Sequence, residues 1–236
     1  MGHLVFYLIL AYILFELLFC FVFPVFHSDA WHLNRYLSEN AKKRLSQFLD
    51  GGELLRPDDH SGWANSPDFE LDNWVTDAYG ARSKPFSPVS LTKPRRALLL
   101  GSSLINGGRL VKGSETISAY LDSDDIEAIN FGAMGHQIDQ SYHAYQQKLH
   151  KFNATDIIVG LTIGEIDGIQ NMFIPFRWRN EAGLPYIKPR FKLSDQGLEL
   201  VSAPYTKMLS RIPDSPELLE LLKENDKFYF NFIMFK

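Results

Sequence analysis

The stretch Arg96-Ala97-Leu98-Leu99-Leu100-Gly101-Ser102-Ser103-Leu104-Ile105-Asn106-Gly107-Gly108 decides how this chain is read. Ala97 to Leu100 is an unbroken apolar run, the pattern of a strand buried on both faces of a parallel sheet. Gly101 and two serines end it abruptly. A run of this kind delivers a side chain to the edge of a sheet, and the side chain delivered is that of Ser103.

Working outward from this stretch, Ile126 to Asn130 is predicted to be a second strand and Asp156 to Ile163 a third. Between them lie two expected helices, Glu115 to Leu121 with Ser114 as N-cap, and Ile138 to His150. Strands alternating with helices imply a parallel sheet with right-handed crossovers, so the fold class is α/β. Ligands of such sheets gather at the carboxyl ends of the strands. Three clusters rich in glycine and polar residues fall there: Gly101 to Gly108, Asn130 to Gln140 and Gly164 to Gly168.

Upstream, Leu4 to Phe26 is almost continuously apolar, broken only by Glu16 and Pro24. Roughly 20 such residues span a bilayer as a helix, so residues 1–27 are expected to be a single-pass membrane anchor with the lipid bilayer as partner. A cleaved signal peptide fits less well, because the apolar part is long and no basic residue precedes it. Arg35, Lys42, Lys43 and Arg44 follow the segment, which by the positive-inside rule puts the downstream side in the cytoplasm. Residues 28–52 carry apolar positions at helical spacing and predict an amphipathic helix ended by Gly51 and Gly52, lying either on the membrane surface or on the domain. Residues 53–94, dense in Pro, Asp, Asn, Gly and Ser, predict an irregular cover with a short strand at Trp74 to Val75. Within it Asp58-Asp59-His60 reads as a solvated turn. Residues 95–236 form the α/β domain. Its tail is expected to contain a helix from Ser215 to Glu224, with Pro216 in the first turn. An aromatic strand, Phe228 to Phe235, follows, and its sticky edge is expected to be covered by further chain of a longer protein, by a protein partner or by a lipid surface.

A net charge of -4 with both signs scattered offers no basic surface, which argues against nucleic acid as a partner. The one cysteine, Cys20, permits neither an intrachain disulfide nor a cysteine zinc site, and no cofactor or metal is expected.

These residues resemble the SGNH (GDSL-type) hydrolase superfamily, particularly its membrane-anchored bacterial branch. The first family block, Gly-Asp-Ser-x-x-x-Gly, is similar to Gly101-Ser102-Ser103-Leu104-Ile105-Asn106-Gly107, with Ser102 standing for the Asp. The second, Asn-x-Gly-x-x-Gly, matches Asn130-Phe131-Gly132-Ala133-Met134-Gly135. The third, Gly-x-Asn-Asp, is similar to Gly164-Glu165-Ile166-Asp167, with Ile166 in place of the asparagine. Thr76 to Arg82 and Pro189 to Leu200 resemble flanking segments of the anchored branch.

The resemblance implies a flavodoxin-like three-layer fold in which Ser103 is the nucleophile and the Gly135 amide an oxyanion donor. By the same resemblance Asp167 is a catalytic residue that orients the loop carrying the hole, and Ser102, Asn106, Asn130 and His136 bind substrate. It further implies hydrolysis or transfer of an acyl ester, on an acylated small molecule or an envelope glycan, by an extracytoplasmic domain. A serine needs a base to become nucleophilic. In the family the base comes from a late Asp-x-x-His block, whereas here no histidine follows His150. Three explanations stand: a shortened or split chain, a substitute among His136, His143 and His150, or a noncatalytic binding scaffold. A nucleotide-binding reading of Gly101 to Gly108 lacks the phosphate-loop lysine.

Overall fold

The computed structural model describes residues 5–16, 33, 35–50, 54–82, 90–177, 187–203 and 216–233. Strands β5 (Arg95–Gly101), β6 (Ile126–Asn130) and β7 (Asp156–Gly160) form a parallel sheet in the order β6-β5-β7. Ahead of them lie two antiparallel pairs, β1 (Leu55–Asp58) with β2 (Gly62–Asn65), and β3 (Glu70–Leu71) with β4 (Trp74–Val75). The chain is therefore of mixed α/β class.

The period-2 geometry of β5 explains its apolar run. Ala97 and Leu99 face Ile105 and Ala128 on one side, while Leu98 faces Ala81, Ile129 and Phe152 on the other. Arg96 and Glu127 lie directly opposite each other on β5 and β6. The buried Arg96 guanidinium donates to the Glu127 carboxylate over 2.6 Å and to the carbonyls of Phe152 and Ser90, so this charged pair is stitched into both strands. On the far side of β5, Ile157, Ile158 and Val159 of β7 keep 39%, 37% and 42% of their surface. Among the described strands β7 pairs only with β5.

Several expected boundaries move. The third strand stops at Gly160, and Ile163 instead opens a helix, Ile163–Gly168. The helix after β5 splits into a 3-10 turn, Gly113–Glu115, and an α-helix, Ile117–Leu121, capped by Thr116 and not by Ser114. Thr116 is the extended residue at that start, and its hydroxyl accepts the Ala119 amide hydrogen. The next helix ends at Gln147 (Ile138–Gln147), and Leu149–Phe152 continues as a 3-10 turn closed by left-handed Asn153.

A second core lies beside the sheet. The helix Glu39–Leu49 is capped by Ser38 and buries Ala41, Leu45 and Phe48 against Leu55, Trp63 and Phe173, so the amphipathic segment packs on the protein itself. The helix ends at Leu49 with Asp50 as its cap; Gly51 and Gly52 lie outside the described residues. The irregular cover is more ordered than expected, since the β1–β2 hairpin precedes the foreseen strand at Trp74.

The helix Pro216–Asn225 follows expectation, with Pro216 at its first position. The aromatic tail does not. Tyr229–Ile233 is a helix, because Tyr229 and Phe232, three apart, share one face and pack on Phe176 at 5.4 Å each while Phe230 faces out. Asp226 ties this junction down, accepting hydrogen bonds from Asn171 and from the amides of Met172, Phe173 and Phe228.

At the N-terminus residues 5–16 form a helix with exposed apolar side chains. No helix among the described residues is long and apolar enough to cross a membrane. The rest of the expected anchor lies outside them.

A helix and a strand make opposite demands on the tail. Truncating buried Phe232 to Ala is expected to cost about 3–5 kcal/mol in denaturant unfolding, whereas Phe230→Ala changes stability by less than about 0.5 kcal/mol. Equal losses in both variants, as for two residues on one face of a strand, would contradict the helical tail.

Candidate active site

The site begins where β5 runs out. Gly101 has φ +147°, and a Cβ there would sit 2.4 Å from the Gly160 carbonyl oxygen, so only glycine allows β5 and β7 to approach this closely at their ends. Ser102 is buried and caps the one-turn helix Ser103–Asn106, its hydroxyl accepting the Leu104 amide hydrogen at 3.4 Å. Its hydroxyl, expected to bind substrate, is thus engaged by the backbone of its own turn. Ser103 heads that helix, half-buried, and its hydroxyl hydrogen-bonds to nothing among the described residues. Its amide is one of the N–H groups that a helix start leaves unpaired.

Asn106 and Asn130, expected to bind substrate, are fully buried and hydrogen-bond to backbone. The Asn106 side-chain amide donates to the Gly132 carbonyl at 2.7 Å, and that of Asn130 donates to the Ile105 carbonyl at 2.7 Å. Their side-chain oxygens accept the amides of Gly108 and Gly132 respectively. Each asparagine thus closes its own turn and bolts it to the other's. The fit leaves no room for a side chain at Gly132, where a Cβ would lie 2.7 Å from the Asn106 nitrogen. Asn65 adds a further bond to the Gly132 carbonyl at 2.9 Å.

Arg82, which the sequence assigned no role, completes the clamp. Its guanidinium donates to the carbonyls of Asn106, Gly108, Val111 and Asn73 and stacks over Trp74 at 5.0 Å. Burial pushes its pKa down. The signal was an arginine closing the Gly80-Ala81-Arg82 segment that otherwise serves a turn. Asn65, inside an apolar hairpin strand, carried a comparable but weaker signal.

Gly135 has φ +74°, and its amide donates to no group among the described residues. The loop beyond it is tied to the hairpin. His136 is buried, and its Nε2 donates to the Trp63 carbonyl at 2.7 Å. Burial lowers its pKa to about 4, against the raising effect of that bond. Expected to bind substrate, it is a neutral histidine that ties the loop to the hairpin. Gln140 reaches the Ser61 carbonyl, and Asp139 pairs with fully buried Lys188.

The third cluster meets the second through Gly168, where a Cβ would lie 2.0 Å from the Gln137 side-chain oxygen. Asp167 is exposed on this helix, and neighbouring Ile166 keeps 50% of its surface. No hydrogen bond joins Asp167 to Ser103. The three clusters therefore do gather at the carboxyl ends of β5, β6 and β7, but the described histidines, His60, His136, His143 and His150, make no hydrogen bond to the Ser103 hydroxyl. His143 packs edge-on to His60 and Phe191, and its pKa is lowered by burial. His150 lies exposed, bonded to the Tyr145 carbonyl. Among the described residues no three His, Cys, Asp or Glu side chains are grouped to hold a metal ion.

In the Asp58-Asp59-His60 stretch Asp59 and His60 form a turn, whereas Asp58 ends β1 and is buried rather than solvated. Its carboxylate accepts the amides of His60 and Ser61 and the Ser61 hydroxyl, and pairs with Lys148.

Comparison of the chain with protein-family models, with curated proteins and with solved structures finds no match.

Burial raises the Asp58 carboxyl, but the Lys148 ammonium and the Ser61 donors outweigh it and hold its pKa at about 2, below the ordinary 3.8. A carboxylate depressed in the folded state stabilises the fold above its unfolded pKa, and that stabilisation disappears as pH falls from about 4 towards 2. The pair is expected to contribute about 2 kcal/mol at neutral pH. Urea unfolding at descending pH should show this loss in the wild type and a flatter profile in Asp58→Asn; identical profiles would refute the assignment.

Proposed function

We propose that the chain is a membrane-anchored, SGNH-type serine acyl hydrolase or acyltransferase on a flavodoxin-like three-layer scaffold. Its sheet order, β6-β5-β7, fits the start of such a doubly wound arrangement. One observation carries the reading: a serine hydroxyl with no hydrogen bond among the described residues heads a helix at the tip of the central strand, and two buried asparagines lock that turn to a glycine loop whose Gly135 amide has no acceptor among them. Backbone donors fixed in advance are what an acyl-transfer oxyanion requires.

In this reading Ser103 Oγ attacks the acyl carbon of an ester and passes its proton to a base, while the carbonyl electrons shift to an oxyanion held by the amides of Ser103 and Gly135. Collapse expels the alcohol, protonated by the same base, and leaves an acyl-serine. Water or an acceptor hydroxyl then takes the acyl group and restores Ser103. Asp167 positions the third loop of the hole. An acylated small molecule or an envelope glycan is the substrate class, and the apolar run from Leu4 to Phe26 is the anchor that holds the domain at the bilayer, outside the cytoplasm.

A second reading, a noncatalytic membrane-tethered binding or assembly protein, is favoured by two observations. His136 is locked onto the Trp63 carbonyl, and exposed Ile166 stands where an oxyanion-hole asparagine is expected. Loss of one such donor typically lowers turnover about 100- to 1,000-fold.

A fluorophosphonate probe and an activated acetate ester separate the two readings. Wild-type protein should label at Ser103 and hydrolyse the ester slowly, with labelling abolished in Ser103→Ala. Added imidazole should accelerate both reactions, since a positioned general base contributes about 100- to 10,000-fold. Undiminished labelling of Ser103→Ala would exclude Ser103 as the nucleophile. Failure of the wild type to react, even with imidazole, would favour the scaffold reading.

A further inference from the structure

A cavity of about 630 Å³ lies against β6, walled by Ala128 and Ile129 of that strand, by Ser118 and Ala119, and by Arg82 and Lys93. Ser103 is not among its walls. The volume is in the range of small-molecule sites. Its charges are unevenly matched. Glu127 is neutralised by Arg96, and Asp122 by Lys93 at 2.9 Å. Arg82, buried to 1% exposure, has no carboxylate partner among the described residues. Its four terminal N–H bonds are spent on neutral carbonyls, and its Nε–H has no acceptor. A buried cation left without a counter-charge is costly, and an anion entering beside it relieves that cost.

The remaining walls complete the specification. Val75, Ala119 and Ile129 offer apolar surface, while Thr92 and Ser114 bring hydroxyls. From these features we infer that the cavity binds a small organic anion of monosaccharide size, its carboxylate or phosphate attracted by Arg82 and its uncharged body resting on the Val75, Ala119 and Ile129 side. The assignment does not depend on Ser103 being a nucleophile. Because Arg82 also clamps the Asn106 to Gly108 backbone, an occupant would bear on the turn from behind.

Titrations of the full-length chain, followed by the Arg82 Nε–H and Ala119 amide resonances, test this. The probes are glucuronate and glucose 1-phosphate, which distinguish a carboxylate from a phosphate ligand, with glucose as the neutral control. At least one anion should shift both resonances saturably, about tenfold more tightly than glucose. Lys93→Met, which leaves Asp122 unmatched at the rim, should weaken the anion by several fold. Asp122→Asn should tighten it, and neither should alter glucose binding. The proposal is overturned if neither anion saturates, if glucose binds equally well, or if the two variants act in the same direction on the anion.

Discussion

Asn106 and Asn130 each hydrogen-bond to the backbone of the other's turn, and the rest of the site depends on that exchange. Backbone groups buried at the ends of strands must find partners, and an unpaired one costs as much as a lost hydrogen bond or more. Here the tip of β5 is buried and the Phe131 and Ala133 amides still reach the Leu99 and Gly101 carbonyls, while the Ile105 and Gly132 carbonyls of the two turns are paired by the asparagine side-chain amides. Arg82 does the same for the carbonyls of Asn106, Gly108 and Val111. The consequence is a Ser103 whose backbone is fixed from three directions while its hydroxyl takes no hydrogen bond among the described residues. Preorganisation of that kind is useful to acyl-transfer chemistry, and it is useful also to a rigid binding surface.

The two cores of the molecule are joined by polar contacts that link the site to the second core. His136 on the Trp63 carbonyl, Gln140 on the Ser61 carbonyl and the buried Asp139–Lys188 pair all connect the segment after Gly135 to the hairpin or to the segment that leads into a further strand, Arg190–Ser194. Such buried polar links add little net stability compared with apolar packing, but removing one partner leaves an uncompensated group in a low-dielectric interior. They fix the register between cores, and with it the position of the Gly135 amide. Phe176 performs the apolar counterpart, in contact with Tyr36 near the start of the described domain and with Tyr229 and Phe232 of the tail helix.

The strands were legible because their signals are local. Ala97 to Leu100 has the unbroken apolar run of a doubly buried strand, ended by Gly101, and Ile126 to Asn130 was bounded by turn residues on both sides. The tail misled because an aromatic run has the same composition in a strand and in a short helix; what decided it was the i, i+3 match of Tyr229 and Phe232 to a surface built by distant residues. The site was half legible. Ser103 and the glycines stand out through backbone requirements written in their own neighbourhood. The role of Asn106 and Asn130 was hidden, since a buried asparagine spanning two turns and an exposed one contacting substrate look alike in sequence. Arg82 was hidden for the same reason, its four carbonyl partners lying 9 to 29 residues away.

The central claim is that the Ser103 turn and the Gly132 to Gly135 loop are one mechanical unit held by Asn106, Asn130 and Arg82. Backbone hydrogen exchange in Asn130→Ala tests it most directly. Loss of the side chain removes the bond to the Ile105 carbonyl and the acceptor for the Gly132 amide, so protection is expected to fall together at Ile105 to Gly108 and at Phe131 to Ala133, with β5 unchanged. Loss of protection confined to the loop that carries the substitution, with the Ser103 turn as protected as in the wild type, would contradict the account.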